Sequence, residues 1–316
     1  MNKPRIVFFG TPLFAVIVLE ALKNEGLLPI AIITVPDAPA GRGLNPAPSL
    51  SKTWAQENAA PILQPIKLKD ESFLSSVKDL RPDLFVVASY GKIVPPQLLA
   101  IPPKGTINVH PSLIPKYRGP SPIEGAMLAD EEKTGVTILL TDELMDHGPI
   151  LAQEELNAPL SDLDFAQAER LLAELGGKLL VKTIPLWIAG KITPQEQKHA
   201  DATYTKKILK EDGHLDWNEN AAVLSRKIRT LNPWPGTFTF WFKNKKQARL
   251  IIVNVDIVSN SADKKLGEVF LIDGQMAIAC GNGALSIKNL RAEGKKTTSS
   301  EEFLRGNSSI LGQILR

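Results

Sequence analysis

Up to about residue 190 the chain alternates short, unbroken apolar runs with longer stretches of helical period. Arg5–Phe9, Leu28–Thr34, Leu84–Ala88, Thr106–His110, Val136–Leu140 and Ile150–Glu155 read as strands. The continuous apolar runs among them, Arg5–Phe9 and Leu84–Ala88, suit strands covered on both faces. Phe14–Asn24, Ser49–Glu57, Glu71–Asp79 and Ile123–Ala129 read as helices, with Ser49 or Ser51 as an N-cap for the second. Asp162–Ala189 is a long amphipathic stretch, predicted helical in its first two-thirds and broken near Gly176-Gly177 and near Pro185. The alternation predicts an α/β domain with a Rossmann-like, mostly parallel sheet. Gly10 permits a tight turn after the first strand, but no Gly-x-Gly-x-x-Gly follows it, which disfavours nicotinamide or flavin binding. Residues 35–48, rich in Pro, Gly and Ala, read as a loop too irregular for helix or strand.

The pattern changes after Gly190. Residues 191–206 are polar and aperiodic, a linker. Asn220–Thr230 reads as a helix and Leu231–Gly236, with two prolines, as a rigid turn. Five β-type runs follow, Thr237–Phe242, Arg249–Ile257, Glu268–Ile272, Met276–Cys280 and Ala284–Arg291. Separated by Gly, Asn and Asp turns, they predict a small barrel. The expected organisation is therefore a first domain over 1–190, a linker over 191–206 and a second domain over 207–316. Trp217 and Trp234 read as packing residues of that second domain.

Bulk properties narrow the class. The sequence has 316 residues, 43% of them hydrophobic and 22% charged, as in ordinary globular proteins. No apolar run approaches the ~20 residues that span a bilayer. The N-terminus is read as carrying no signal peptide, because Arg5–Phe9 already has strand character. The single cysteine, Cys280, excludes an internal disulfide framework and suits a reducing cytosol, so a cytoplasmic location is expected. Net charge is +3, unevenly spread. Residues 201–316 hold 18 Lys+Arg against 12 Asp+Glu (+6), and residues 1–200 hold 19 against 22 (−3). A basic second half fits a polyanionic partner such as RNA, and equally a solvated lysine-rich surface.

Candidate chemistry concentrates between Gly105 and Leu151. Asn108 and His110 lie two apart on an extended strand and so point to one side. Pro111 and Pro115 end that strand, and Asp146 follows the next strand in a loop that ends at Gly148. An amide donor, an imidazole and a carboxylate are expected together at the ends of neighbouring strands, where open α/β sheets place ligands. These groups suit acyl transfer without a covalent intermediate. Asn offers a neutral N–H to an oxyanion. His donates a hydrogen bond or carries a proton, and Asp orients the ring and favours its charged form. No Ser or Cys stands in a nucleophile elbow, so the attacking group is expected from the substrate, most simply an amine. The same spacing also fits a turn-capping Asn, a buried structural His and a turn-starting Asp.

The run Asn108-Val-His-Pro-Ser-Leu-Ile-Pro-Lys-Tyr-Arg-Gly119 resembles the signature of the formyltransferases that use 10-formyltetrahydrofolate, and the likeness extends nearly end to end. It implies a formyltransferase fold followed by an OB-like barrel. It also implies transfer of the formyl group of 10-formyltetrahydrofolate to the amino group of initiator methionyl-tRNA, in support of translation initiation. Asn108, His110 and Asp146 match the catalytic positions. Ser112, Leu113, Ile114 and Pro115 match the folate-binding segment, with Tyr90 and Gly91 as further folate contacts at the preceding strand end. Arg42 matches a position that approaches the acceptor end of the tRNA. Lys243, Lys245, Lys246 and Arg249 form a basic cluster at a hairpin, suited to sugar-phosphate contact. No metal is expected, nor any membrane; a monomer is.

The chain departs from the usual pattern in two loops. Leu144, His147 and Pro149 stand where relatives carry a glycine, a threonine and an acid, and Leu44-Asn45-Pro46 replaces the lysines that follow Arg42. These departures keep open formylation of an amino-sugar nucleotide or other small amine. Hydrolysis of formyltetrahydrofolate and a non-catalytic RNA-binding role on the same fold are the other readings. The second half, with Leu231–Gly236 and a basic barrel, favours the tRNA substrate.

Overall fold

The computed structural model describes residues 3–40, 45–243, 246–259 and 263–316. Its chain divides into two compact units. The first holds residues 1–126, 132–159 and 166–206, and the second holds 127–131, 160–165 and 207–316. Residues 191–206, expected as a linker, thus belong with the first unit.

The first unit runs β1 (Ile6–Gly10), α1 (Leu13–Asn24), β2 (Ala31–Ile33), β3 (Ala38–Ala40), β4 (Asn45–Ala47), α2 (Leu50–Glu57), β5 (Ile62–Leu63), α3 (Glu71–Asp79), β6 (Leu84–Ala88), α4 (Pro96–Leu99), β7 (Thr106–His110), α5 (Pro122–Leu128), β8 (Gly135–Leu140), β9 (Ile150–Glu155) and α6 (Phe165–Ile188). Seven strands form one sheet in the order β5-β2-β1-β6-β7-β8-β9. Pairing is parallel from β5 to β7 and antiparallel for β7–β8 and β8–β9. Every residue of β1 is buried, as its continuous apolar run requires of a central strand. Ser49 is the N-cap of α2, its side chain accepting from Lys52 N at 3.1 Å.

Two local expectations are corrected. Residues 38–47, expected without regular structure, contain the antiparallel pair β3–β4. Helix α6 is continuous over 24 residues, through both glycines and Pro185. The glycines are there for packing. A Cβ on Gly176 would sit 2.7 Å from Val109 Cγ1 of β7, and one on Gly177 would sit 2.6 Å from Ala21 Cβ of α1. The close approach of α6 to the sheet at Gly176 and to α1 at Gly177 leaves no room for a side chain, and the packing it allows outweighs their low helix propensity of roughly 1 kcal/mol each.

The second unit contains α7 (Ala221–Leu231), β10 (Thr237–Lys243), β11 (Lys246–Val258), β12 (Val269–Ile272), β13 (Gln275–Ala279), β14 (Ala284–Ala292), β15 (Thr298–Ser299) and α8 (Ser300–Asn307). The five expected strands form an antiparallel half-barrel sheet in the order β10-β11-β14-β13-β12, and β15 adds to β14. Trp217 is 4% exposed and donates to Thr239 Oγ1, a packing residue as expected. Trp234 is not: between two prolines it is held out of the core at 58% exposure.

Candidate active site

The site forms where β6 and β7 end. These strands are parallel neighbours, with Val87 beside Asn108, so Tyr90-Gly91 and His110 come to the same edge of the sheet. Strand β8 runs the other way and pairs Thr137 with His110, so its own end lies beside Ile107. Asp146 therefore does not come from the matching strand end, as the spacing suggested. Its loop starts next to Thr106, where Thr141 N donates to Thr106 O at 2.8 Å, and returns to Asn108 and His110.

Asp146 is the hub. Its Oδ1 accepts from Asn108 Nδ2 at 3.1 Å and lies 3.6 Å from His110 Nδ1, and its Oδ2 accepts from Gly119 N at 2.8 Å. The Asp146 backbone has φ 51°, the left-handed region that non-glycine residues seldom adopt. His110 is 3% exposed, with Nε2 3.0 Å from Tyr117 O. Both ring nitrogens thus face acceptors, and only the doubly protonated ring offers a donor to each. The 3.6 Å separation at Nδ1 is too long for a hydrogen bond, which leaves that nitrogen the more readily redirected to a substrate. Asn108 keeps one amide N–H beyond the one given to Asp146.

The segment 112–115 is pinned against β8 and β9. Ser112, fully buried, donates from Oγ to Lys116 O at 2.7 Å. Thr137 Oγ1 donates to Ser112 O at 2.7 Å and accepts from Ile114 N at 3.2 Å, while Gln153 Nε2 donates to Ile114 O at 2.9 Å. Ile114 is 3% exposed and is joined to Pro115 by a cis peptide bond. A ligand approaching this segment meets Leu113 and backbone more than the side chains of Ser112 or Ile114. At the end of β6, Tyr90 is 2% exposed with its ring edge-on to Phe9, and burial pushes its phenol up to about 12. Gly91, at φ 83°, leaves the backbone there open.

Among the described residues, no group of three or more His, Cys, Asp and Glu side chains is arranged to hold a metal ion. No helix among them is long and apolar enough to cross a membrane. Arg42 and Lys245 lie outside the described residues. The remaining basic cluster is split by the β10–β11 register. Lys243 pairs with Lys246 at the hairpin end, whereas Arg249 pairs with Phe240, three positions back and on the other face. Lys243 Nζ donates to Asn307 Oδ1 at 2.7 Å, Lys246 is exposed, and the Arg249 guanidinium stacks 3.6 Å above the Phe238 ring.

Sequence reasoning missed Tyr117 O, Gly119 N and Gln197 as partners of the central residues. The first two act through backbone. Gln197 falls in the polar stretch taken for a linker, where the one available signal is its nearness to Thr203-Tyr204, which bracket Arg118. Arg118 N donates to Thr203 O at 2.9 Å, and Arg118 Nη1 donates to Tyr204 Oη at 3.0 Å.

Two family descriptions match the chain, "Formyl transferase" over residues 4–184 and "Formyl transferase, C-terminal domain" over 207–308. The methionyl-tRNA formyltransferase of Roseiflexus castenholzii is 40% identical over 304 residues, 96% of either chain. That of Caldanaerobacter subterraneus is 38% identical over 313 residues, 99% of this chain and 100% of the relative. Among solved structures, methionyl-tRNA formyltransferase from Clostridium thermocellum superposes with TM-score 0.54 at 17% identity, over 90% of this chain and 98% of that one. HypX from Aquifex aeolicus, in complex with tetrahydrofolic acid, superposes with TM-score 0.64 at 18% identity over 96% of this chain, which spans about half of it (47%). With both parts matched and near-full-length relatives at 38% and 40% identity, this chain belongs to the methionyl-tRNA formyltransferase family.

Proposed function

We propose that this chain transfers the formyl group of 10-formyltetrahydrofolate to the amino group of initiator methionyl-tRNA. The observation that carries the reading is the meeting of Asn108, His110 and Gly119 N on one carboxylate, Asp146, in a family member whose relatives match along almost the entire chain. The neutral amine attacks the formyl carbon, and the carbonyl electron pair moves to oxygen. The second N–H of Asn108 and the Nδ1–H of protonated His110 receive that oxyanion. Asp146 balances the imidazolium and relays the amine proton, directly or through water. Collapse of the intermediate re-forms the carbonyl and breaks the bond to N10 of the folate, which takes up a proton to leave as tetrahydrofolate. Each of these groups supplies a factor of ~10²–10⁴ in rate.

The folate lies against Tyr90-Gly91 and the segment Ser112–Pro115, held mainly by backbone groups and Leu113. Arg42, Lys243, Lys245 and Lys246 serve the tRNA, with Lys246 exposed at the hairpin end, while Arg249, stacked on Phe238, supports the sheet. The enzyme works as a monomer in the cytoplasm. The test is formyl transfer from 10-formyltetrahydrofolate to charged initiator tRNA, run beside free amines and a no-acceptor control. Transfer that requires the charged tRNA and is lost in His110→Ala supports the reading. Transfer to a small amine, or formate release without an acceptor, overturns it.

A further inference from the structure

Gln197 is 5% exposed and lies outside both matched family segments. Its Nε2 donates to Asp146 O at 2.9 Å and to Gly148 O at 2.6 Å. Its Oε1 accepts from Arg118 Nε at 3.1 Å and from Arg118 Nη2. The orientation of this amide is fixed by chemistry. A guanidinium only donates, so it must face the amide oxygen, and the carbonyls of Asp146 and Gly148 only accept, so they must face the NH2.

Arg118 is itself unusual. It is 1% exposed, and among the described residues its side chain reaches Gln197 Oε1, Tyr204 Oη and His199 Nδ1, with no carboxylate. A buried charge without a counter-ion is expensive, so a purely structural site would be better served by an apolar side chain. What the guanidinium gives here is a donor that cannot lose its proton and so locks the Gln197 amide in one orientation. The strain lies at the other end of that amide: Asp146 sits at φ 51°, a conformation that persists only when its surroundings impose it. The neighbour of Arg118, Gly119, holds the Asp146 carboxylate through its own N–H. One dipeptide, Arg118-Gly119, therefore fixes Asp146 twice, its side chain directly and its backbone through Gln197.

We infer that Gln197 is a positioning residue for formyl transfer, holding the backbone of Asp146 so that the carboxylate meets Asn108 and His110. The inference rests on the proposed role of Asp146. Gln197→Glu tests it: the variant keeps an acceptor for Arg118, and even gives it a carboxylate, but replaces the donor to the two carbonyls with an oxygen. The expected result is a kcat reduced on the order of 10²-fold, the cost of a misplacement near 1 Å. KM for methionyl-tRNA should stay within about twofold, since uniform binding is untouched, with a Tm no lower than that of the unaltered protein. Gln197→Met, which fills the space without either polar contact, should show the same kcat loss. Asp146→Asn is measured in parallel. Unaltered kcat in folded Gln197→Glu or Gln197→Met, with Asp146→Asn inactive, overturns the positioning role alone. Unaltered kcat in Asp146→Asn overturns the reading of Asp146 and this inference with it.

Discussion

His147 lies flat against His199, the ring centroids 4.1 Å apart and the planes within 7°. His147 Nδ1 is also 2.7 Å from Asp142 Oδ2, and His199 Nδ1 accepts from Arg118 Nη2 at 2.9 Å. The stack ties the loop that carries Asp146 to the segment 191–206. A partly exposed ring pair is worth about 0.5 kcal/mol beyond its buried area, the lower end of the usual range. A double-mutant cycle with His147→Ala and His199→Ala, followed by urea unfolding, should return a coupling energy of about that size. Strict additivity would mean that the stack holds nothing.

Asn108→Ala, His110→Ala and Asp146→Ala should each lower kcat by ~10²–10⁴-fold while the circular dichroism spectrum is retained. Because Asn108 and His110 both act on Asp146 Oδ1, the effects should not add. The double variant Asn108→Ala/Asp146→Ala should be little worse than Asp146→Ala alone. Multiplicative losses would separate the two groups mechanistically.

Glu124 of α5 and Glu169 of α6 both have carboxyls raised above the usual range, chiefly by burial. Glu169 also repels Glu124, and it accepts a hydrogen bond from the Phe14 backbone. The folded state therefore holds their protons more tightly than the unfolded chain does. The stability they contribute is complete below the ordinary carboxyl value of 4.5 and is lost as pH rises through their raised folded values. Glu124→Gln, neutral at every pH, should flatten the fall in Tm just above that value and melt higher than the unaltered protein at pH 7. An unchanged Tm–pH curve would show that the pair is not desolvated in solution.

Lys246 and Arg249 should part company when tested against tRNA. Lys246 is exposed, so Lys246→Ala should leave Tm unchanged and reduce the slope of log K against log salt by ~1, as loss of one phosphate contact does. Arg249 is stacked on Phe238, so Arg249→Ala should lower stability by about 0.5–1 kcal/mol whether or not tRNA is present. Chemical denaturation and binding at several salt concentrations would separate the two. Equal salt effects without a stability difference would place both side chains on the RNA.

Much of the first unit was legible because buried parallel strands are continuous apolar runs. Leu84–Ala88 and Thr106–His110, neighbours in the parallel part of the sheet, emerge with the expected bounds. Asn108 and His110 share a face because strand period requires it, and both meet Asp146. What escaped the sequence depends on partners far along the chain. Gly176-Gly177 looks like a helix break locally and is a contact surface for Val109 and Ala21. The route of the Asp146 loop follows from the antiparallel sense of β8, which a run of apolar residues does not encode. The split of the basic cluster follows from register, invisible until β10 and β11 are paired. Gln197 has no periodic neighbours and acts through carbonyls.

The allegiance of residues 191–206 to the first unit sets a rule for building hybrids within this family. A chimera spliced at Gly190 would exchange Gln197, His199 and Tyr204 for a stranger's residues and hand Arg118 a mismatched set of acceptors, although the sheet and the residues that meet the Asp146 carboxylate came from a single parent. A splice at Lys206 would carry Gln197, His199 and Tyr204 along with Arg118 and Asp146, and would leave with the recipient only the short stretches 127–131 and 160–165 that belong to the second unit.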